Sequence, residues 1–180
     1  DPRECITFDD LILGTKYEMG DIFTSDGFPV KVGQFFYGDG SGAKEGQAIV
    51  SDALDAGAAG YEMAISNVVL AFDFGDAVDG VTAMFADMGG NVNLRVNGDL
   101  ANVADLVSLD GTSLGGTTIH VIMLGGTNGL LEVEGPVADF AIGGQEFFLD
   151  EVCPGESLDP QVPGKPAIRP ILGVQVSYDP

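Results

Sequence analysis

Val68-Val69-Leu70-Ala71-Phe72-Asp73-Phe74 decides the fold class. Val68, Leu70, Phe72 and Phe74 fall on one side of an extended chain, and Val69, Ala71 and Asp73 on the other. An apolar period of two, rich in β-branched and aromatic residues, marks a half-buried strand. Working outward, apolar stretches recur at 5–8, 21–24, 28–36, 47–51, 81–85, 92–96, 106–109, 117–124, 130–133, 137–142 and 146–152, broken by Gly, Asn and Asp. In 92–96, Val92, Leu94 and Val96 face inward while Asn93 and Arg95 face out, and Asn97-Gly98 is a tight-turn pair. Residues 47–59 are alanine-rich, but Gly57 and Gly60 weaken a helix, so a strand at 47–51 and an irregular loop to Gly60 are expected. Short strands in this number, without a long crossover helix, predict an all-β chain, an antiparallel jelly-roll β-sandwich.

The chain divides into a body, 1–153, and a tail, 154–180. The tail holds six of the nine prolines and closes with 171–178, where Leu172, Val174, Val176 and Tyr178 share one face. That is a Pro-rich spacer followed by an extended terminal β-strand with no hairpin partner beside it in sequence. Three readings are open: the strand folds onto its own sandwich, adds to the edge of a neighbouring subunit, or leads to a further domain.

Seven basic residues face 28 acidic ones, for a net charge of −21. Nucleic acid and anionic membrane surfaces repel such a field, and cations are favoured partners. The acid either keeps the protein soluble or binds divalent ions. No apolar run is long enough to span a bilayer as a helix. The first residue is Asp1 and no apolar leader follows, so any leader is expected to have been removed. Cys5 and Cys153, at the first and last strands of the body, are read as a disulfide, which implies an oxidising, extracellular location; two reduced core thiols are the alternative.

Catalytic constellations are sparse. The single histidine, His120, lies on the strand face opposite Ile119 and Val121. Gly38 to Lys44 has the glycines of a phosphate loop, but Glu45 stands where Ser or Thr is needed. Asp73, Asp76 and Asp79 read as a solvated turn, with a loop cation site as the alternative. No two carboxylates stand out as an acid/base pair. The expectation is that the chain is not an enzyme.

If Cys5 bonds Cys153, residues whose numbers sum to about 158 face each other, and Asp9 and Asp10 come near Asp150 and Glu151. Carboxylates that close repel unless they reach water or hold a cation, and Ca2+ suits such oxygen ligands. The stretches 6–11, Gly14, 20–27 and 140–152 resemble the opening and closing strands of secreted bacterial jelly-roll modules, carbohydrate-binding and galactose-binding-like domains among them. The resemblance covers about 5–153 and implies a structural calcium shared by Asp9 or Asp10 with Asp150. The chain departs from the sugar-binding pattern in having no tryptophan. Tyr37 and Tyr61 are the candidate glycan platform, with packing as their alternative role.

The leading expectation is a non-enzymatic extracellular structural protein, a homopolymer subunit of a surface filament or matrix that assembles by adding its C-terminal strand to a neighbour. The alternative is a calcium-dependent carbohydrate-binding module.

Overall fold

A computed structural model describes residues 4–57 and 59–156. The spacer and terminal strand, with Leu172, Val174, Val176 and Tyr178, lie outside the described residues. The described chain is all-β and every strand pairing is antiparallel. The strands are β1 Lys16–Glu18, β2 Ile22–Ser25, β3 Phe28–Gln34, β4 Gln47–Ser51, β5 Glu62–Ser66, β6 Val68–Phe72, β7 Val78–Val96, β8 Asp99–Val103, β9 Ser113–Leu114, β10 Thr117–Gly125, β11 Asn128–Val137 and β12 Phe140–Pro154.

Two long strands organise everything else. β12 pairs with β7 along nearly its whole length, and both bend midway. Below the bend, Phe140–Gly144 lies between β6 and residues 92–96 of β7, in a wing ordered β2-β3-β6-β12-β7-β8. Above it, residues 147–154 lie between β5 and 81–87 of β7, in a wing ordered β1-β4-β5-β12-β7-β11-β10-β9. The bend falls at Gly89 (φ 142°) and Gly90 (φ 72°) on β7, where the β12 register shifts. β5 and β6 turn the same corner at Asn67 (φ 56°), whose N–H donates to the Gly144 carbonyl at 2.9 Å. A β-carbon on Gly143 would strike the Val68 carbonyl, so that neighbour can approach only glycine.

One hydrophobic cluster fills the space between the wings, giving a sandwich-like fold. Val30, Val32, Leu70, Phe140 and Ile142 from one wing meet Met63, Ile65, Phe85, Leu131, Phe147 and Leu149 from the other. Phe85 and Phe147 stack with centroids 5.8 Å apart. Burial of aromatic side chains of this size is worth about 2–3 kcal/mol each.

The outer face of the β6 wing is also covered. The chain after β3 folds back over it, burying Phe35 and Ala43 against Val69 and Ala141. Asn93 points outward as its strand position requires, yet it is fully buried, because it clamps this loop. It accepts the Phe36 N–H at 2.7 Å and donates to the Phe36 carbonyl at 2.9 Å.

Several expectations are corrected. Residues 106–109 form a 3-10 turn rather than a strand, started by Asp105, whose side chain accepts the Val107 N–H. The stretches 81–85 and 92–96 are one continuous strand, since Gly89-Gly90 bends the chain without reversing it. Residues 5–8 contribute a single bridge, Ile6 to Val152. β5 lies between the expected loop to Gly60 and the expected strand from Val68, where no strand was assigned. Asn97-Gly98, with φ 51° and 86°, does reverse the chain, between β7 and β8.

Candidate functional site

The disulfide between Cys5 and Cys153 is formed, and Ile6 and Val152, whose numbers also sum to 158, exchange both backbone hydrogen bonds at 2.8 and 3.0 Å. Phe8 then adopts φ 63° with its ring fully buried. That left-handed residue redirects the chain and separates the two acids that follow. Asp10 turns toward the β2–β3 hairpin, accepting the Ser25 hydroxyl at 2.7 Å and the Asp26 N–H at 2.9 Å. Asp9 turns the other way and accepts the Tyr61 N–H at 2.6 Å.

Asp9 thereby faces a second acidic group on the outer side of the β5 wing. Glu62 and Asp150 are both buried there, at 0% and 1% exposure. The Glu62 carboxylate gathers the loop after β4, accepting the N–H groups of Asp55 at 2.9 Å, Ala56 at 2.7 Å and Gly57 at 3.2 Å. Asn128 ties the same loop from the β10–β11 hairpin by donating to the Asp55 carbonyl. Gly57 packs directly on the Asp150 carboxylate and Gly60 on that of Asp9; a β-carbon at either position would collide.

Burial pushes the Asp150 carboxyl up to about 7. The Glu151 N–H, 2.7 Å from Oδ1, opposes that rise, while the charges of Glu151, Glu62 and Asp9 add to it. Glu151 itself is exposed, at φ 46° in a bulge of β12 that sets Asp150 under the loop and Cys153 at the bridge. The arrangement favours any species that removes the Asp150 charge, a proton or a cation. Among the described residues no three His, Cys, Asp or Glu side chains form a group suited to a metal ion.

Of the four acids expected together, Asp9 and Asp150 interact, Glu151 lies beside Asp150, and Asp10 is held elsewhere. Glu62 was missed because its strand was missed; an acidic residue opening an otherwise apolar Met63-Ala64-Ile65 run was the available signal. Tyr37 packs edge-on to Phe35 in the outer cluster, and Tyr61 packs on the main core. His120 lies on the outer face, 3.0 Å from Glu134. Asp73 caps Gly75, whereas Asp79 accepts the Glu156 N–H at 2.6 Å.

That last contact fixes where the described chain leaves the body. Gly155 donates to the Gly80 carbonyl at 2.8 Å, Asp79 donates to the Glu156 carbonyl at 2.9 Å, and Cys153 is held by its disulfide. The tail thus starts from a fixed point at the end of β12.

No described helix is long and apolar enough to cross a membrane. Comparisons with protein-family models, with curated proteins and with solved structures found no match.

Proposed function

We propose that this chain is a secreted, non-enzymatic jelly-roll subunit of an extracellular filament or matrix, joined to its neighbours by strand addition through residues 171–178. The observation that supports it best is the anchored exit of the tail. β12 is central to both wings, and its end is pinned by Cys5–Cys153 and by the Asp79–Glu156 and Gly80–Gly155 hydrogen bonds. A strand sent out on a Pro-rich spacer from such a point has a defined origin. Its face of Leu172, Val174, Val176 and Tyr178 needs an apolar surface. The body carries five basic and 25 acidic residues, whereas the tail carries two and three, so the tail approaches an acidic neighbour with little repulsion. The test is mass by light scattering and electron microscopy on the full chain. Oligomers that lengthen with concentration are expected, and Val174→Asp with Val176→Asp is expected to leave monomers. Equal assembly by that double variant ends the proposal.

A second reading, a calcium-dependent carbohydrate-binding module, rests on the crowding of Asp9, Glu62 and Asp150 under the loop. Asp9 and Asp150 are the side chains that would hold Ca2+, with Glu151 beside them and backbone carbonyls completing the set. Asp10 is engaged by Ser25 and Asp26 and drops out of the ligand set. Calcium that binds the folded state must raise the melting temperature, and Asp150→Asn must remove that rise. No rise at millimolar calcium, and no retention on any polysaccharide, ends this reading.

A further inference from the structure

We infer that the outer edge of β10 at residues 122–125 is the acceptor for residues 171–178 of a second copy of this chain; the inference rests on the assembly reading above and specifies its receiving surface. β10 is hydrogen-bonded to β11 on one side along its length. On its other side it is occupied as far as Val121. β9 pairs with Thr117 and Thr118, Thr112 accepts the Ile119 N–H at 2.9 Å, Gly111 donates to the Ile119 carbonyl at 2.8 Å, and Asp110 accepts the Val121 N–H at 2.9 Å. In the same alternation the Met123 N–H is the next to point outward. No described residue meets it.

At that point the surface turns apolar. Ile122, Met123 and Leu124 are 50%, 41% and 59% exposed in succession, and Leu130 adjoins Ile122 on β11. Three consecutive exposed apolar residues on an open edge are what natural edge strands avoid unless something covers them. A four-residue stretch offers few hydrogen bonds, so side-chain contact must supply much of the affinity. The alternating apolar face of 171–178 supplies it.

The assembly reading makes the occupant the tail of a second copy, and the placement of exit and edge is compatible with it. β12 runs from Phe147, opposite Asp87, to Pro154, opposite Val81, and so exits at the Asp79 end of β7. The open edge lies at the other end, since Met123 pairs with Gly129 and Gly129 with Phe85. Asp79 and Phe85 are about 20 Å apart along the strand. The last described residue, Glu156, and the open edge lie at opposite ends of this part of β7, an arrangement that suits a head-to-tail contact. At about 3.1 Å per residue an extended 157–170 would span about 40 Å, enough for its own edge or a neighbouring body. A parent chain that stays monomeric at every concentration overturns the second-copy assignment.

The experiment uses full chains throughout. Met123→Pro deletes the outward N–H without touching the β11 ladder, and Ile122→Lys with Leu124→Lys removes the apolar face should proline disturb the strand. Both edge variants are expected to sediment as monomers at concentrations where the parent chain polymerises. Mixing either with the Val174→Asp, Val176→Asp chain is expected to give dimers and nothing longer, because one partner retains only a donor and the other only an acceptor. Edge variants that polymerise like the parent overturn the β10 assignment and leave the assembly reading intact. A tail variant that polymerises like the parent overturns the assembly reading itself.

Discussion

Gly57 rests on the carboxylate of Asp150, so close that a β-carbon on residue 57 would run into Oδ2 and Cγ. This contact seals the loop over the buried acid and is steric rather than conformational. Gly57→Ala should therefore destabilise the fold by about 1–3 kcal/mol, the usual cost of overpacking. In an Asp150→Ala background the same substitution should cost at least about 1 kcal/mol less. Denaturant midpoints of the four chains check this, and additive effects would refute it.

Arg95 and Asp139 form a two-pronged ion pair, Nε to Oδ2 at 2.8 Å and the guanidinium NH2 to Oδ1 at 3.0 Å. The Arg95 hydrogen bonds, opposed by partial burial and helped by charge and the Gly98 N–H, hold the Asp139 carboxyl below its ordinary 3.8. Between the two values the unfolded chain binds more protons than the folded one, so this stability is full above the ordinary value and is lost as pH falls through the folded one. Both side chains are more than a third exposed, which limits the worth of the pair to about 0.5–1 kcal/mol. Asp139→Asn should cost that much at neutral pH and progressively less as the pH falls below 3.8 and through the lowered folded value. A difference in melting temperature that is flat with pH would contradict it.

Asn93 is predicted to matter more than its outward strand position suggests. Asn93→Ala strips partners from both the N–H and the carbonyl of Phe36, at a cost of about 2–4 kcal/mol if neither finds water. Amide exchange at Phe36 and Ala43 should quicken while β7 and β12 stay protected. Unchanged exchange across 35–43 would show that the loop does not depend on this clamp.

Replacing Cys5 and Cys153 by serine should lower unfolding free energy by on the order of 5 kcal/mol, the chain-entropy value for so long a loop. Urea denaturation of the variant reads it directly. A loss under about 1 kcal/mol would mean that the unfolded chain is already compact.

Strand positions were legible where apolar alternation ran long, as at β6, β10 and the last part of β7. Continuity was not, because a pair of residues with positive φ permits a bend as readily as a reversal: Gly89-Gly90 bends, and Asn97-Gly98 reverses. β5 was missed because Glu62 is buried on the outer face by a loop that sequence does not place there. The proximity of Asp9 to Asp150 followed from pairing the cysteines. The departure of Asp10 did not, since it turns on the positive φ of Phe8, which no local pattern announces. Leu106 to Leu109 carried strand-like composition, but Asp105 captured the Val107 N–H and started a 3-10 turn instead.

Cys5 and Cys153 also settle what happens to the molecule under tension. Force applied to the chain on either side of the two cysteines travels through the sulfur–sulfur bond, and residues 6–152 sit in a closed loop beside that line. Pulling on the chain outside that loop leaves residues 6–152 unloaded, so they yield only after a reductant has opened the bridge.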